Sequence, residues 1–243
     1  MLLKACLNGS RLADHHEALP LSPTALASDA SACQRAGAGA VHIHPRGMGG
    51  RETLEPDHCA AAIEAIRDTC PDLPVGLTTG LWITGSGKRR LALIKDWTVL
   101  PDFCSVNVSE PGTDDLCELL LARGIAIEAG VSSIADARIF IESPFRDRCI
   151  RVLIEVEPGG PDDPLKSAAA IRRILDAGGV KLPRLQHGLG VTAWPLFADA
   201  LARGYDVRIG LEDTLAMPDG SRAGSNVELV AAASRLASQA APR

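Results

Sequence analysis

Short apolar runs alternate with longer segments rich in Ala and Leu along the whole 243-residue chain. A short apolar run bounded by turn residues is typical of a buried strand, and a longer run with apolar residues at helical spacing is typical of a helix. Strands that alternate with helices favour a parallel sheet. The eight predicted strands are residues 2–7, 41–44, 75–79, 103–108, 125–129, 150–155, 184–187 and 206–211.

Residues that start and stop helices lie between these runs. Ser22 followed by Pro23 is typical of a helix N-cap with proline at the first helical position, and Ser225 or Asn226 is suited to cap the last helix. Residues 80–87 are predicted to form a loop long enough to serve a function. The predicted helices are residues 23–36, 57–69, 88–97, 113–123, 133–141, 163–177, 194–203 and 227–238.

Eight strand-helix units predict an α/β fold, a (β/α)8 TIM barrel that spans residues 1–243 as a single domain. The alternative is a doubly wound open sheet. A dinucleotide-binding sheet of that kind carries Gly-x-Gly-x-x-Gly after its first strand, and this chain lacks the sequence there. We therefore expect a barrel, with its chemistry at the carboxyl ends of the strands.

The second predicted strand carries two histidines, His42 and His44, at its carboxyl end. Side chains two residues apart on a strand point to the same side, so the two imidazoles are expected to lie together. Pro45 and a glycine-rich loop then end the strand. The pair is predicted either to share a metal ion or to be two packed histidines, because histidine is common in both settings.

Polar residues also follow the other predicted strands. Strands 2 and 8 contribute to the same interior layer of a barrel, so Glu212 is expected to face His42 and His44. Two histidines and one carboxylate leave a coordination position open, as in catalytic zinc sites. Arg208 shares the face of Glu212 and Asp213 adjoins it, and these two are either part of the site or a structural ion pair. The other polar residues near strand ends are Arg11, Thr78, Thr79, Ser105, Asn107, Glu128 and His187.

Charge and composition narrow the class of protein. A formal net charge of -5 without a Lys- or Arg-rich run argues against nucleic acid or an anionic membrane as partner and favours small molecules. No apolar run is long enough for a membrane span, and residues 1–20 lack the apolar segment of a signal peptide. Seven scattered cysteines without a Cys-x-x-Cys pair favour reduced thiols in the cytoplasm.

Several segments carry a family resemblance. They are Val-His-Ile-His-Pro-Arg at 41–46, Ser-Val-Asn at 105–107, Glu128, Arg-Ile-Gly-Leu-Glu-Asp at 208–213 and Gly-Ser-Arg-Ala-Gly-Ser-Asn-Val-Glu-Leu-Val at 220–230. In this order, and over nearly the whole chain, they resemble the β-keto acid cleavage enzymes. The resemblance implies a zinc-dependent barrel, with one zinc per chain, that forms a homotetramer or homodimer. It also implies acyl exchange between a β-keto acid and acetyl-CoA, which yields acetoacetate and a new acyl-CoA.

The resemblance further implies a role for each candidate residue. The zinc ligands would be His42, His44 and Glu212. Arg208 and Asp213 would form a catalytic pair, and Glu128 falls at the place of a catalytic acid, so either Glu128 or Asp213 would be the base that removes a proton from the substrate. The residues expected to hold the substrate carboxylate are Ser105 and Asn107, helped by Thr78 or Thr79.

Arg11 departs from the family pattern. It stands where a family member that acts on an amino-substituted keto acid carries an acidic residue. A cation at that place would repel an ammonium group, so we expect a substrate with a neutral or acidic side chain. The alternative is that Arg11 points to solvent, where arginine is common.

Two other functions fit the same residues. One is a divalent-metal aldolase or lyase that uses no CoA, and CoA dependence distinguishes it from acyl exchange. The other is a catalytically silent barrel that binds metabolites. Five converging polar groups argue against the silent barrel, since burying them without a function is costly.

Overall fold

The computed structural model describes residues 1–156 and 163–240, and it confirms the predicted (β/α)8 barrel. Eight parallel strands pair in chain order, and β1 pairs with β8, with Leu3 opposite Val207, to close the sheet. This closure excludes the open sheet. The strands are β1 (Leu3–Cys6), β2 (Ala40–Ile43), β3 (Val75–Thr78), β4 (Phe103–Asn107), β5 (Ala126–Val131), β6 (Arg151–Val156), β7 (Arg184–Gly188) and β8 (Asp206–Ile209).

Helices cover the outside of the barrel. The Ser22 side chain accepts a hydrogen bond from the Ala25 N–H at 3.1 Å, which makes it the N-cap that the sequence predicts. Among the described residues no helix is both long enough and apolar enough to cross a membrane. The helices are α1 (Pro23–Arg35), α2 (Pro56–Thr69), α3 (Leu81–Thr84), α4 (Gly87–Lys95), α5 (Thr113–Ala122), α6 (Ile134–Glu142), α7 (Pro164–Ala177), α8 (Ala193–Ala202) and α9 (Asn226–Ala240).

Two boundaries differ from the prediction in ways that affect the site. The predicted loop 80–87 contains α3, which ends where Gly85 adopts a φ of 64°, a left-handed conformation that favours glycine. Strand β5 continues to Val131, two residues beyond its predicted end at residue 129. Glu128 is therefore in the middle of β5, and the expectation that it ends the strand is wrong.

The core has an apolar layer outside the sheet and a charged layer inside it. Outward side chains such as Val41, Ile43 and Ile127 are buried against the helices, and each contributes roughly 1.5–3 kcal/mol. Inside the barrel, the Lys4 ammonium contacts the Glu128 carboxylate, and both side chains are fully buried. The interior of the barrel is thus held by an ion pair as well as by apolar packing.

Candidate active site

A polar cavity of about 320 Å³ opens at the carboxyl ends of the strands. Its position is the one where barrel enzymes place their chemistry. The predicted site residues that line it are His42, His44, Thr78, Ser105, Asn107, Arg208 and Glu212. Further lining residues include Trp82, Glu110 and Glu155.

Three side chains at this cavity could hold a metal ion. His42 Nε2 lies 3.2 Å from His44 Nε2, and His44 Nε2 lies 3.7 Å from Glu212 Oε1. One ligand atom from each residue falls within 4.8 Å of the other two. Burial lowers the pKa of His42 well below its usual value, which keeps a lone pair available on the imidazole. The buried Glu212 Oε2 has no hydrogen-bond partner in residues 1–156 and 163–240, so the donor set fits a divalent cation with one open position.

Asn8 and Gly9, directly after β1, bring the histidines and Glu212 together. The Asn8 side chain accepts from the His44 N–H and donates to the His44 carbonyl oxygen, both at 2.9 Å, which fixes the end of β2. Gly9 has a φ of 53°, and a Cβ at this residue would overlap the Glu212 side chain. Only glycine therefore gives both the turn and the space that Glu212 occupies.

A second carboxylate, Glu52, orients His44. Glu52 Oε1 lies 2.5 Å from His44 Nδ1, so Nδ1 donates the hydrogen bond and Nε2 faces Glu212. Trp82 Nε1 donates to Glu52 Oε2 at 3.1 Å, which holds the carboxylate from the other side. Carboxylates behind metal-binding histidines commonly fix their tautomer in this way. Sequence reasoning missed Glu52, which follows His44 by eight residues and returns to it through the Arg46–Glu52 bridge.

Arg208 and Asp213 form a buried ion pair beside the candidate metal ligands. Arg208 Nη2 lies 2.6 Å from Asp213 Oδ1 and 2.6 Å from Glu212 Oε1. Burial alone would raise the pKa of Asp213, but Arg208 and His187 bring it below its usual range. Arg208 and Asp213 thus form an ion pair that also adjoins the cavity. The two interpretations from the sequence, a structural ion pair and a part of the site, are therefore compatible.

Glu155 was not identified from the sequence, although it ends the predicted strand 150–155. Its Oε2 lies 2.8 Å from His187 Nε2, and His187 Nδ1 lies 3.4 Å from Asp213 Oδ1. Burial would raise the pKa of Glu155, but His187 and Arg208 lower it to about 2, so the carboxylate is ionised. His187, whose role the sequence left open, is therefore a buried link between two carboxylates.

Four predicted site residues lie outside the cavity lining. One is the fully buried Asp213, which adjoins the cavity through its contact with Arg208, and the others are Glu128, Thr79 and Arg11. Glu128 is one layer deeper, where it contacts Lys4 and lies 3.2 Å from Arg151. The Thr79 hydroxyl donates to the Ser105 carbonyl oxygen at 2.6 Å, which leaves Thr78 as the threonine that faces the cavity. The Arg11 guanidinium donates to the Leu211 carbonyl oxygen instead of reaching the cavity, and it is only partly exposed.

The fold and the cavity define the class of protein: a (β/α)8 barrel with a candidate metal centre of two histidines and a glutamate at the carboxyl ends of its strands. The family model for the beta-keto acid cleavage enzyme matches residues 1–143 and 153–242. The chain belongs to this family of β-keto acid cleavage enzymes.

Two curated relatives match the chain over almost its full length, and both are named 3-keto-5-aminohexanoate cleavage enzyme. The protein from Fusobacterium nucleatum subsp. nucleatum is 23% identical over 270 residues, which cover 98% of this chain and 92% of the relative. The protein from Acetoanaerobium sticklandii is 23% identical over 261 residues, with the same coverage of 98% and 92%.

Solved structures with the same fold are more distant in sequence. ObcA in a binary complex with oxaloacetate superposes with a TM-score of 0.73 at 18% identity, covering 89% of this chain and 63% of the ObcA chain. This chain thus spans about three fifths of the length of ObcA. The 3-dehydroquinate dehydratase from Aquifex aeolicus VF5 gives a TM-score of 0.59 at 13% identity, covering 97% of this chain and 98% of the other.

Proposed function

We propose that this β-keto acid cleavage enzyme is a zinc-dependent acyltransferase that uses acetyl-CoA as co-substrate and produces acetoacetate and a new acyl-CoA. The observation that carries the proposal is the convergence of His42, His44 and Glu212 beside the Arg208 guanidinium in one polar cavity. Family membership supports the β-keto acid as substrate. The curated relatives, named for the cleavage of a keto acid, agree with that class.

His42, His44 and Glu212 are the residues that would hold the zinc ion. When bound there, zinc would act as a Lewis acid that draws electron density from the ketone of the substrate. Thr78, Ser105 and Asn107, here proposed to bind the substrate carboxylate, belong to the neighbouring strands β3 and β4 and line the cavity with hydroxyl and amide groups. Asn107 is held in place because its Nδ2 donates to Glu110 Oε1 at 2.9 Å.

Arg208 is proposed to stabilise negative charge that develops on substrate oxygen, since it lines the cavity and has a fixed planar guanidinium. Asp213 orients Arg208 through contacts to Nε and Nη2 and keeps the role of general base in this proposal. Glu128 is assigned a structural role instead, because its carboxylate is already engaged by Lys4 and Arg151 below the cavity.

The proposal also covers the cellular location and the oligomeric state of the enzyme. The seven cysteines are free and buried, which supports a cytoplasmic location. A homotetramer or homodimer is proposed from the family resemblance. Light scattering of the purified protein tests the oligomeric state directly.

The test is a coupled assay of metal-quantified protein on a panel of β-keto acids, with and without acetyl-CoA. Acetoacetate that forms only with acetyl-CoA, together with about one zinc per chain, supports the proposal. Zinc with CoA-independent turnover would favour an aldolase or lyase, and absence of both metal and turnover would favour a silent barrel. Arg208→Lys is the matched variant, and near-normal turnover in it would remove Arg208 from the reaction.

A further inference from the structure

Four charged side chains line the cavity among the described residues: Glu110, Glu155, Arg208 and Glu212. Arg208 and Glu212 contact each other and belong to the proposed metal centre. Glu110 is engaged from behind, because it contacts the buried Arg90 and accepts hydrogen bonds from Asn107 and from the Leu81 N–H. Glu155 is therefore the charged side chain of the lining that we consider as a contact for the substrate.

The carboxylate of Glu155 is paired through only one of its two oxygens. His187 Nε2 lies 2.8 Å from Oε2, and the other ring nitrogen, Nδ1, lies 3.4 Å from Asp213 Oδ1. No hydrogen bond reaches Oε1 from residues 1–156 or 163–240, and 27% of the Glu155 side chain is exposed. A carboxylate with one free oxygen in a cavity is an acceptor for a hydrogen-bond donor of the ligand.

The position of Glu155 relative to the metal centre suits the substrate tail, the part of the keto acid beyond its ketone. Arg208 Nη2 lies 2.6 Å from Glu212 Oε1 and 4.0 Å from Glu155 Oε2, so one guanidinium separates the two carboxylates. The residues proposed to bind the substrate carboxylate are on β3 and β4, whereas Glu155 is on β6. Arg11, the cation expected from the sequence to favour a neutral or acidic tail, instead contacts the backbone of Leu211.

We propose that Glu155 selects the substrate tail: it favours β-keto acids whose tail carries an ammonium or hydroxyl donor and rejects those with a second carboxylate. This inference rests on the proposed function, and it reverses the preference for neutral or acidic tails expected from Arg11. A donor on the tail would bond to Oε1, whereas a second carboxylate would meet a charge of the same sign at short range.

The experiment uses the zinc-loaded enzyme and four six-carbon β-keto acids that differ only in the tail, which is unsubstituted, hydroxylated, aminated or carboxylated. The values of kcat/KM are compared for the wild type, Glu155→Gln and the control Glu118→Gln, which changes an exposed residue of α5. We expect Glu155→Gln to lower kcat/KM for the aminated acid about 10-fold or more, and to raise it for the carboxylated acid. The unsubstituted acid should lose less than the aminated acid, so the ratio of the two kcat/KM values reports the contact with the tail.

Two outcomes would overturn the proposal. One is an equal loss on all four acids, which would mean that Glu155 only supports the site. The other is a wild-type enzyme that prefers the carboxylated acid. Calorimetric binding of the same acids separates this proposal from the proposed function, because absence of turnover with all acids defeats acyl exchange while the ranking of dissociation constants still tests Glu155.

Discussion

Replacing Glu128 with glutamine tests whether this buried carboxylate is structural or catalytic. Glu128 and Lys4 are both fully buried and in contact, and Arg151 Nε lies 3.2 Å from Glu128 Oε1. Glutamine keeps the shape but leaves the Lys4 ammonium without its counter-charge. Breaking a buried ion pair from one side costs about 3–5 kcal/mol, which in a barrel of this size corresponds to a fall in Tm of about 10 °C.

Thermal and urea unfolding of the wild type and of Glu128→Gln measure this loss. The matched control is the double variant Lys4→Met/Glu128→Leu, which removes both charges and should recover most of the stability, since an apolar replacement of a buried pair is often neutral. Arg151 retains Asp206 at 3.1 Å in that variant. If Glu128→Gln unfolds like the wild type yet is inactive, or if the double variant is stable but inactive, the structural assignment of Glu128 is wrong.

Three further predictions concern the support of the site and the stability of the barrel. Glu52→Gln should weaken zinc binding about 10-fold or more in a chelator competition, because His44 Nδ1 loses its carboxylate partner; unchanged affinity would contradict this role. Gly9→Ala should lower both stability and zinc content, because a Cβ there overlaps Glu212 and φ is 53°; a fully zinc-loaded, equally stable variant would refute it. Burial raises the pKa of Asp29 to about 6, so the folded state binds this proton more tightly than the unfolded state. The free energy of unfolding should therefore fall by about 3 kcal/mol from this group as the pH rises from 4 through 6; Asp29→Asn should remove that fall, and identical pH profiles for the two proteins would contradict it.

The fold could be predicted from the sequence because the signals that mark its strands and helices are local. The strands are short runs bounded by turn residues, several helices begin at a side chain that caps them, and Ser22 caps α1 as predicted. The end of β5 was predicted two residues too early. The strand continues through Gly130 to Val131, and Gly130 packs closely against Asn107, since a Cβ there would come within 2.9 Å of Asn107 Oδ1, a contact that the sequence does not reveal.

The site was partly predictable for a related reason. His42 and His44 share a face of one strand, and Glu212 follows a strand of the same interior layer, so periodicity alone brings the three together. Glu52 lies in the loop after β2, so strand spacing could not show that it contacts His44. Arg11 contacts a backbone carbonyl from another part of the chain, a contact that its side-chain chemistry does not reveal.

The most direct test of acyl exchange follows a carbon label from the co-substrate. Zinc-loaded enzyme is incubated with a β-keto acid and acetyl-CoA labelled with carbon-13 at the thioester carbonyl, and the products are identified by nuclear magnetic resonance. The proposed reaction joins that acetyl group to the carboxymethyl group of the keto acid, so the label should appear at the ketone carbon of acetoacetate. Unlabelled acetoacetate, or label found only in acetyl-CoA and acetate, would contradict acyl exchange.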